Sequence, residues 1–161
     1  MSAPKRDPFQ LCGSTIDGKY RVVDVVGEGG FGVVYRGLHQ GFDSPVAIKC
    51  LKLPPHLDPA EQEALVGSLR DEGRLLRRLS QRTPGIVQAH DVGALTTAAG
   101  ARVPYLVLEW LDGRTLAEEL AARRGRSIAE AIQLLTPAAR ALAIAHEENV
   151  AHRDIKPENL F

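Results

Sequence analysis

The chain has 161 residues, 44% hydrophobic and 25% charged, which is the size and composition of one globular domain. Twenty basic side chains balance twenty acidic ones, so no overall field draws the chain to nucleic acid or to an anionic membrane. Cys12 and Cys50 are too few and too far apart for a disulfide framework or a zinc motif, and neither a signal-peptide run nor an apolar stretch of about 18 residues is read. The expectation is a cytoplasmic chain without a membrane segment.

Residues 1–16 are polar, carry Pro4 and Pro8 and show no periodicity, which predicts a flexible lead-in, with the fold starting near Asp17. Between Tyr20 and Leu51 the β-branched runs YRVVDVV, FGVVYRG and PVAIKCL, separated by GEGG and HQGFDS, predict an antiparallel meander. LPPHLDP breaks the strands, and from Pro59 to Leu79 the residues Leu65, Leu69, Leu76 and Leu79 recur at helical spacing. GIVQAHDVGAL and VPYLVLEWL flank the loop TTAAGA and predict a hairpin that completes a five-stranded sheet. Beyond Trp110 the pattern is helical. Thr115 with Glu118 and Ser127 with Glu130 each fit a capping box, and the second helix runs through Ile128, Leu135, Leu142 and Ala145 to end near Asn149. Pro137 is expected to kink it, and Gly73 to weaken the Pro59–Leu79 helix.

Three features carry chemistry. Gly27, Glu28, Gly29, Gly30, Phe31, Gly32, Val33 and Val34 have the form GxGxxGxV, in which glycines let a backbone approach phosphates; a hairpin that merely turns would look the same. The β-branched residues after Gly32 read as strand, against a dinucleotide fingerprint, which needs a helix there. In VAIK, Ala47 and Lys49 share one strand face, with room for a flat ring beside an ammonium, although a solvated lysine is the plain alternative. Glu72 lies on the leucine stripe of the Pro59–Leu79 helix, where a buried carboxylate demands a partner; Lys49 is the candidate, ahead of pairings through Glu61 or Glu63 near the helix start.

The string His152, Arg153, Asp154, Ile155, Lys156, Pro157, Glu158, Asn159 resembles the HRDxKPEN catalytic loop of eukaryotic-type protein kinases, bacterial members included. Glycine loop, VAIK, helix glutamate and HRDIKPEN come in that family's order over about Asp17 to Phe161. The resemblance implies an α+β protein-kinase-like fold: a five-stranded antiparallel N-lobe with one αC helix over 17–108, a hinge over 109–113, and the first helices of an incomplete C-lobe over 114–161. It implies ATP and Mg2+ as cofactors and a protein substrate phosphorylated on Ser or Thr hydroxyls, since Lys156 is similar to the lysine of Ser/Thr kinases. Asp154 would be the base, Lys156 the cation near the transferred group, and Asn159 a magnesium ligand. Lys49, held by Glu72, would meet the α and β phosphates beneath the glycine loop. Val34 and Ala47 would cover the adenine, with Leu108 as gatekeeper and backbone groups of Glu109 and Leu111 on its edge. Arg153 resembles the arginine that meets an activation-loop phosphate, implying regulation by phosphorylation. His146 and His152 are expected to be structural. The basic clusters RRLSQR and ARRGR are assigned no role. No DFG aspartate or APE segment is present by Phe161, so the 161 residues are expected not to phosphorylate anything alone. The alternatives are a nucleotide-binding pseudokinase or an inactive fragment acting as an interaction module.

Overall fold

The computed structural model describes residues 6–161 apart from Phe31, Pro55 and Arg124. The chain divides into two compact units, Met1–Arg77 with Gln88–Trp110, and Arg78–Val87 with Leu111–Phe161. The break after Trp110 falls inside the expected hinge, whereas 78–87 group with the second unit although the expected first lobe runs unbroken to 108.

In the first unit, β1 (Thr15–Ile16), β2 (Tyr20–Glu28), β3 (Gly32–His39), β4 (Ser44–Leu51), β5 (Ala89–Thr96) and β6 (Arg102–Glu109) form an antiparallel sheet in the order β1-β2-β3-β4-β6-β5. Five strands match the predicted runs; β1 is the addition that corrects the count to six. The helix α1 (Pro59–Ser80) lies between β4 and β5 in sequence, and the following hairpin returns so that β6 lies beside β4. Alternation along β4 sets the two faces. Val46, Ile48 and Cys50 are buried with Val22, Val33, Tyr35, Tyr105 and Val107 in the main core, while Ala47 and Lys49 sit half-buried on the other face.

Leu11 and Ile16 also belong to the main core. Asp7 accepts hydrogen bonds from the Tyr35 hydroxyl at 2.7 Å and from the Cys12 and Leu11 amides at 2.9 and 3.2 Å. The expected flexible lead-in is therefore corrected over its described part, from Arg6 to Ile16. Two buried aliphatic side chains, at about 1.5–3 kcal/mol each, offset part of the ordering entropy and the Asp7 hydrogen bonds add to them, with no periodic signal in the segment.

Helix α1 starts with a reciprocal cap: Glu61 N donates to Asp58 Oδ1 at 2.8 Å, and Asp58 N donates to Glu61 Oε2 at 2.9 Å. Val66, Leu69 and Leu79 are buried, but Leu65 is 37% exposed, so the inward stripe is rotated from the predicted one. Gly73 is buried, and a Cβ there would lie 3.1 Å from Leu106 Cδ1. The glycine lets helix and sheet approach closely, a packing reason in place of the expected weak point.

In the second unit, α2 (Leu116–Ala122) and α3 (Ile128–Glu147) both begin with the predicted capping boxes. Ser127 N donates to Glu130 Oε2 at 2.8 Å, Glu130 N donates to Ser127 Oγ at 3.2 Å, and Arg123 adds an ion pair at 2.7 Å. The Ser127 amide and hydroxyl, then Arg123, pull the Glu130 carboxyl down to about 2. A depressed carboxyl stabilises the fold above its unfolded pKa and loses that contribution as pH falls through the folded one. The protection factors of the amides at the start of α3, taken against the intrinsic exchange rate at each pH, are thus expected to fall as pH drops from 4.5 toward 2, and Glu130→Gln to flatten this response. Equal profiles for the two proteins would refute the cap's role.

Pro137 lies inside α3, and the helix ends in a Schellman motif, with Asn149 left-handed at φ 59° and Val150 N donating to Ala145 O at 2.9 Å. Ile128 and Ile132 are 82% and 61% exposed. By length and composition α3 is apolar enough to cross a bilayer, which the sequence reading of no such stretch did not register.

Candidate functional site

The glycine turn joins β2 to β3, closed by Gly29 N donating to Gly32 O at 2.9 Å; Phe31, expected to contact a cofactor, lies outside the described residues. Among the described residues, a Cβ at Gly27, Gly29 or Gly30 would meet nothing within 4 Å, and none of the three has a positive φ. Neither packing against the described residues nor a positive φ demands glycine there, and the bare backbone leaves this stretch open to approach. Gly32 differs: its Cβ would fall 2.2 Å from the Cys50 carbonyl oxygen, which makes it a strand-packing glycine. Glu28, also expected to contact the cofactor, has its carboxylate on Lys52 Nζ at 2.6 Å, and the same ammonium donates to Gly29 O at 3.3 Å. Lys52 tethers the turn.

Register places Val34 opposite Lys49, Lys49 opposite Leu106, and Ala47 opposite Leu108. Val34, Ala47, Lys49 and Leu108 are all half-buried, so this face offers an apolar floor with one ammonium. Lys49 Nζ lies 3.5 Å from Glu72 Oε1. The premise that Glu72 is buried is corrected, because its side chain is 48% exposed and that of Lys49 37%. Helix rotation puts Val66 inward and Glu72 at the rim, so the pair contributes about 0–1 kcal/mol to stability. Glu61 caps α1, and Glu63 holds Arg102 at 2.6 Å and Arg70 at 3.3 Å, which leaves Glu72 as the partner of Lys49. Glu109 N donates to Gln88 O at 3.0 Å, and Gln88 N to Glu109 Oε1 at 2.7 Å, so this residue is anchored at the end of β6.

In the second unit, Leu111 is exposed, and Asp154, Lys156 and Asn159 converge within one short loop. Lys156 Nζ lies 2.8 Å from Asp154 Oδ2, and Asn159 Nδ2 donates to the same oxygen at 3.0 Å and to Asp154 O at 2.8 Å. Arg153, at φ 63°, turns the backbone, and Asp154 N donates to His152 Nδ1 at 3.3 Å, giving that histidine a structural contact. The Lys156 contact first, then Asn159, holds the Asp154 carboxyl below its ordinary range, and Asp154 holds the Lys156 ammonium above its own. Both contacts fall on Oδ2. Oδ1 is the oxygen left to accept a proton from a hydroxyl.

This loop and the glycine turn lie within one continuous match: residues 20–161 fit the protein kinase domain. The chain belongs to the protein kinase family. It is similar to the serine/threonine-protein kinase PknA of Mycobacterium tuberculosis, 35% identical over 150 residues that cover 92% of this chain and 33% of that protein. Likewise, PknL of Mycobacterium bovis is 34% identical over 161 residues, covering 100% of this chain and 37% of its own length. A probable serine/threonine-protein kinase pknA2 of Bifidobacterium longum is 32% identical over 157 residues, 98% of this chain and 19% of that protein. The chain therefore spans about a third or less of these curated relatives, as the N-terminal part of a bacterial-like Ser/Thr kinase catalytic domain.

Sequence reasoning on this kinase segment missed two cations. One is the tether Lys52. The other is Arg82, from a basic cluster given no role, which grips the end of α3 through Glu148 at 2.6 Å and Glu147 at 2.8 Å, a few residues before His152. Neither had a local signal, since each partner is distant in sequence.

Proposed function

We propose that this chain is the nucleotide-binding and base-bearing part of an ATP-dependent protein serine/threonine kinase that transfers the γ-phosphate to Ser or Thr hydroxyls of a protein substrate. The observation that supports it most is the Asp154, Lys156 and Asn159 loop: an ionised carboxylate with one free oxygen, and a cation and an amide that both donate to the other oxygen. Val34, Ala47 and Leu108 would floor the adenine, Glu109 and Leu111 would offer backbone groups to its edge, and Lys49, aimed by Glu72, would hold the α and β phosphates under Gly27, Gly29 and Gly30. Asn159 commits its Nδ2 to Asp154, leaving the Oδ1 oxygen as a hard donor of the kind Mg2+ takes. The chemistry such an ion would supply is charge neutralisation on the transferred group. Cys12 and Cys50 are both unpaired, which fits a reducing cytoplasm.

The reading of the 161 residues alone as an inactive piece is favoured by one observation, the exposed apolar side chains Ile128, Ile132, Leu134 and Leu135 along α3. For nucleotide binding, Lys49→Met is expected to weaken a fluorescent ATP analogue roughly ten- to a hundredfold, the loss of about 1.5–3 kcal/mol from a charge-assisted contact. Glu72→Gln should weaken it less, because Lys49 keeps its charge and loses only its aim. Unchanged affinity in Lys49→Met would overturn the site.

A further inference from the structure

In the second unit, segment 78–87 meets α3 both at its middle and at its end. At the middle the approach is steric: a Cβ on Gly85 would lie 2.9 Å from Ala141 Cβ and 3.5 Å from Pro137 O, and Ala141 is buried. About 10 Å further along the helix the contact is ionic. Arg82 Nη1 donates to Glu148 Oε1 at 2.6 Å and Nη2 to Glu147 Oε2 at 2.8 Å, so one guanidinium spans two neighbouring carboxylates, with Arg78 Nε 3.6 Å from Glu148 Oε2. We propose that Arg82 is a positioning residue for phosphoryl transfer, fixing the point at which the Asp154 loop leaves α3.

The contacts that Lys156, Asn159 and His152 make with Asp154 all lie inside the loop, and residues 151–159 are exposed, so these bonds shape the loop without placing it. Its far end is held by Leu116 N donating to Leu160 O at 2.7 Å. Its near end leaves a turn in which Glu148 N and Val150 N both donate to Ala145 O, at 3.1 and 2.9 Å, and Asn149 N donates to His146 O at 2.9 Å. Helix ends fray, and Glu147 and Glu148 stand where this one would open. A rigid fork clamped across both carboxylates resists rotation of the helix end better than a single ion pair does. The Arg82 side chain is 41% exposed, so the clamp adds little to stability, and its effect lies in where the loop starts. The consequence for catalysis rests on the proposed kinase function, with Asp154 as base: a reacting group misplaced by about 1 Å can cost about a hundredfold in rate.

The test is a double-mutant cycle in the complete catalytic domain, read as transfer of labelled γ-phosphate to a Ser/Thr peptide. Arg82→Met is expected to lower kcat about three- to thirtyfold, with the KM for ATP within about twofold and Tm nearly unchanged. Arg82→Lys, which has the charge without the fork, should lie between parent and Arg82→Met. Glu147→Gln with Glu148→Gln should give a loss of the same order, and adding Arg82→Met to that pair should cost nothing more. An unchanged kcat, a KM rise in place of the kcat loss, additive losses, or a kcat loss that only matches a fall in the folded fraction overturns the proposal. A second arm follows the amides of the 161-residue chain by NMR. There Arg82→Met is expected to speed exchange at Asn149 and Val150 and to shift His152 and Asp154, leaving Ser127 and Glu130 at the start of α3 unmoved. Shifts confined to Glu147 and Glu148 overturn the proposal as well. A parent domain that transfers no phosphate sinks the kinase reading, while the amide arm still decides whether Arg82 holds the loop.

Discussion

Asp154→Asn in the complete catalytic domain is expected to lower phosphoryl transfer to a Ser/Thr peptide by about 10²- to 10⁴-fold, the range for removing a positioned general base, with nucleotide affinity unchanged. The substitution keeps the side chain's shape and removes the proton acceptor. Lys156 and Asn159 would still find an amide oxygen in place of Oδ2, which they now share at 2.8 and 3.0 Å, so the loop keeps its form. Because those contacts hold the carboxyl below its ordinary range, it is ionised at neutral pH and loses its proton-accepting form only as pH falls through that depressed value. The pH–rate profile should therefore carry no limb from Asp154 near neutrality. Transfer of labelled γ-phosphate at the parent's rate by Asp154→Asn would remove this residue from the chemistry.

Gly32→Ala and Gly30→Ala, two changes a pair of residues apart, are expected to fail in opposite ways. At Gly32 the new methyl would meet the Cys50 carbonyl oxygen at 2.2 Å, and a strand-paired backbone cannot swing aside as a side chain can. The cost should reach or pass the upper part of the ~1–3 kcal/mol typical of overpacking, a fall in Tm on the order of 6–12 °C for a chain this long. At Gly30 the methyl meets nothing among the described residues, so stability should stay within about 0.5 kcal/mol while the nucleotide analogue binds more weakly. Thermal unfolding and analogue titration of both variants separate the two roles. A destabilised Gly30→Ala with normal binding would show that the turn's openness serves the fold alone.

Much of the fold was legible because its signals are local. Alternation put Ala47 and Lys49 on one face, and hydroxyl–carboxylate spacing marked both capping boxes to the residue. Errors came where long-range packing decides. An irregular segment from Asp7 to Ile16 buries Leu11 and Ile16 with no periodic pattern to announce it. A rotation of α1 puts Val66 inward and lifts Glu72 to the rim, and leucine spacing alone could not distinguish these phases.

The order of glycine turn, VAIK lysine, helix glutamate and HRDIKPEN carried the family resemblance by itself, since these are short local strings whose residues can be read without their neighbours in space, and the match over residues 20–161 bears it out. Tertiary structure alone decided which glycine serves access and which serves packing, and that Glu28 anchors to Lys52. It also decided that the Lys49–Glu72 pair stands in water and not in the core. The physical reason is the same for all three: an atom's neighbours across a sheet or a turn come from distant sequence, and clash, ion pairing and burial are properties of those neighbours and not of the residue.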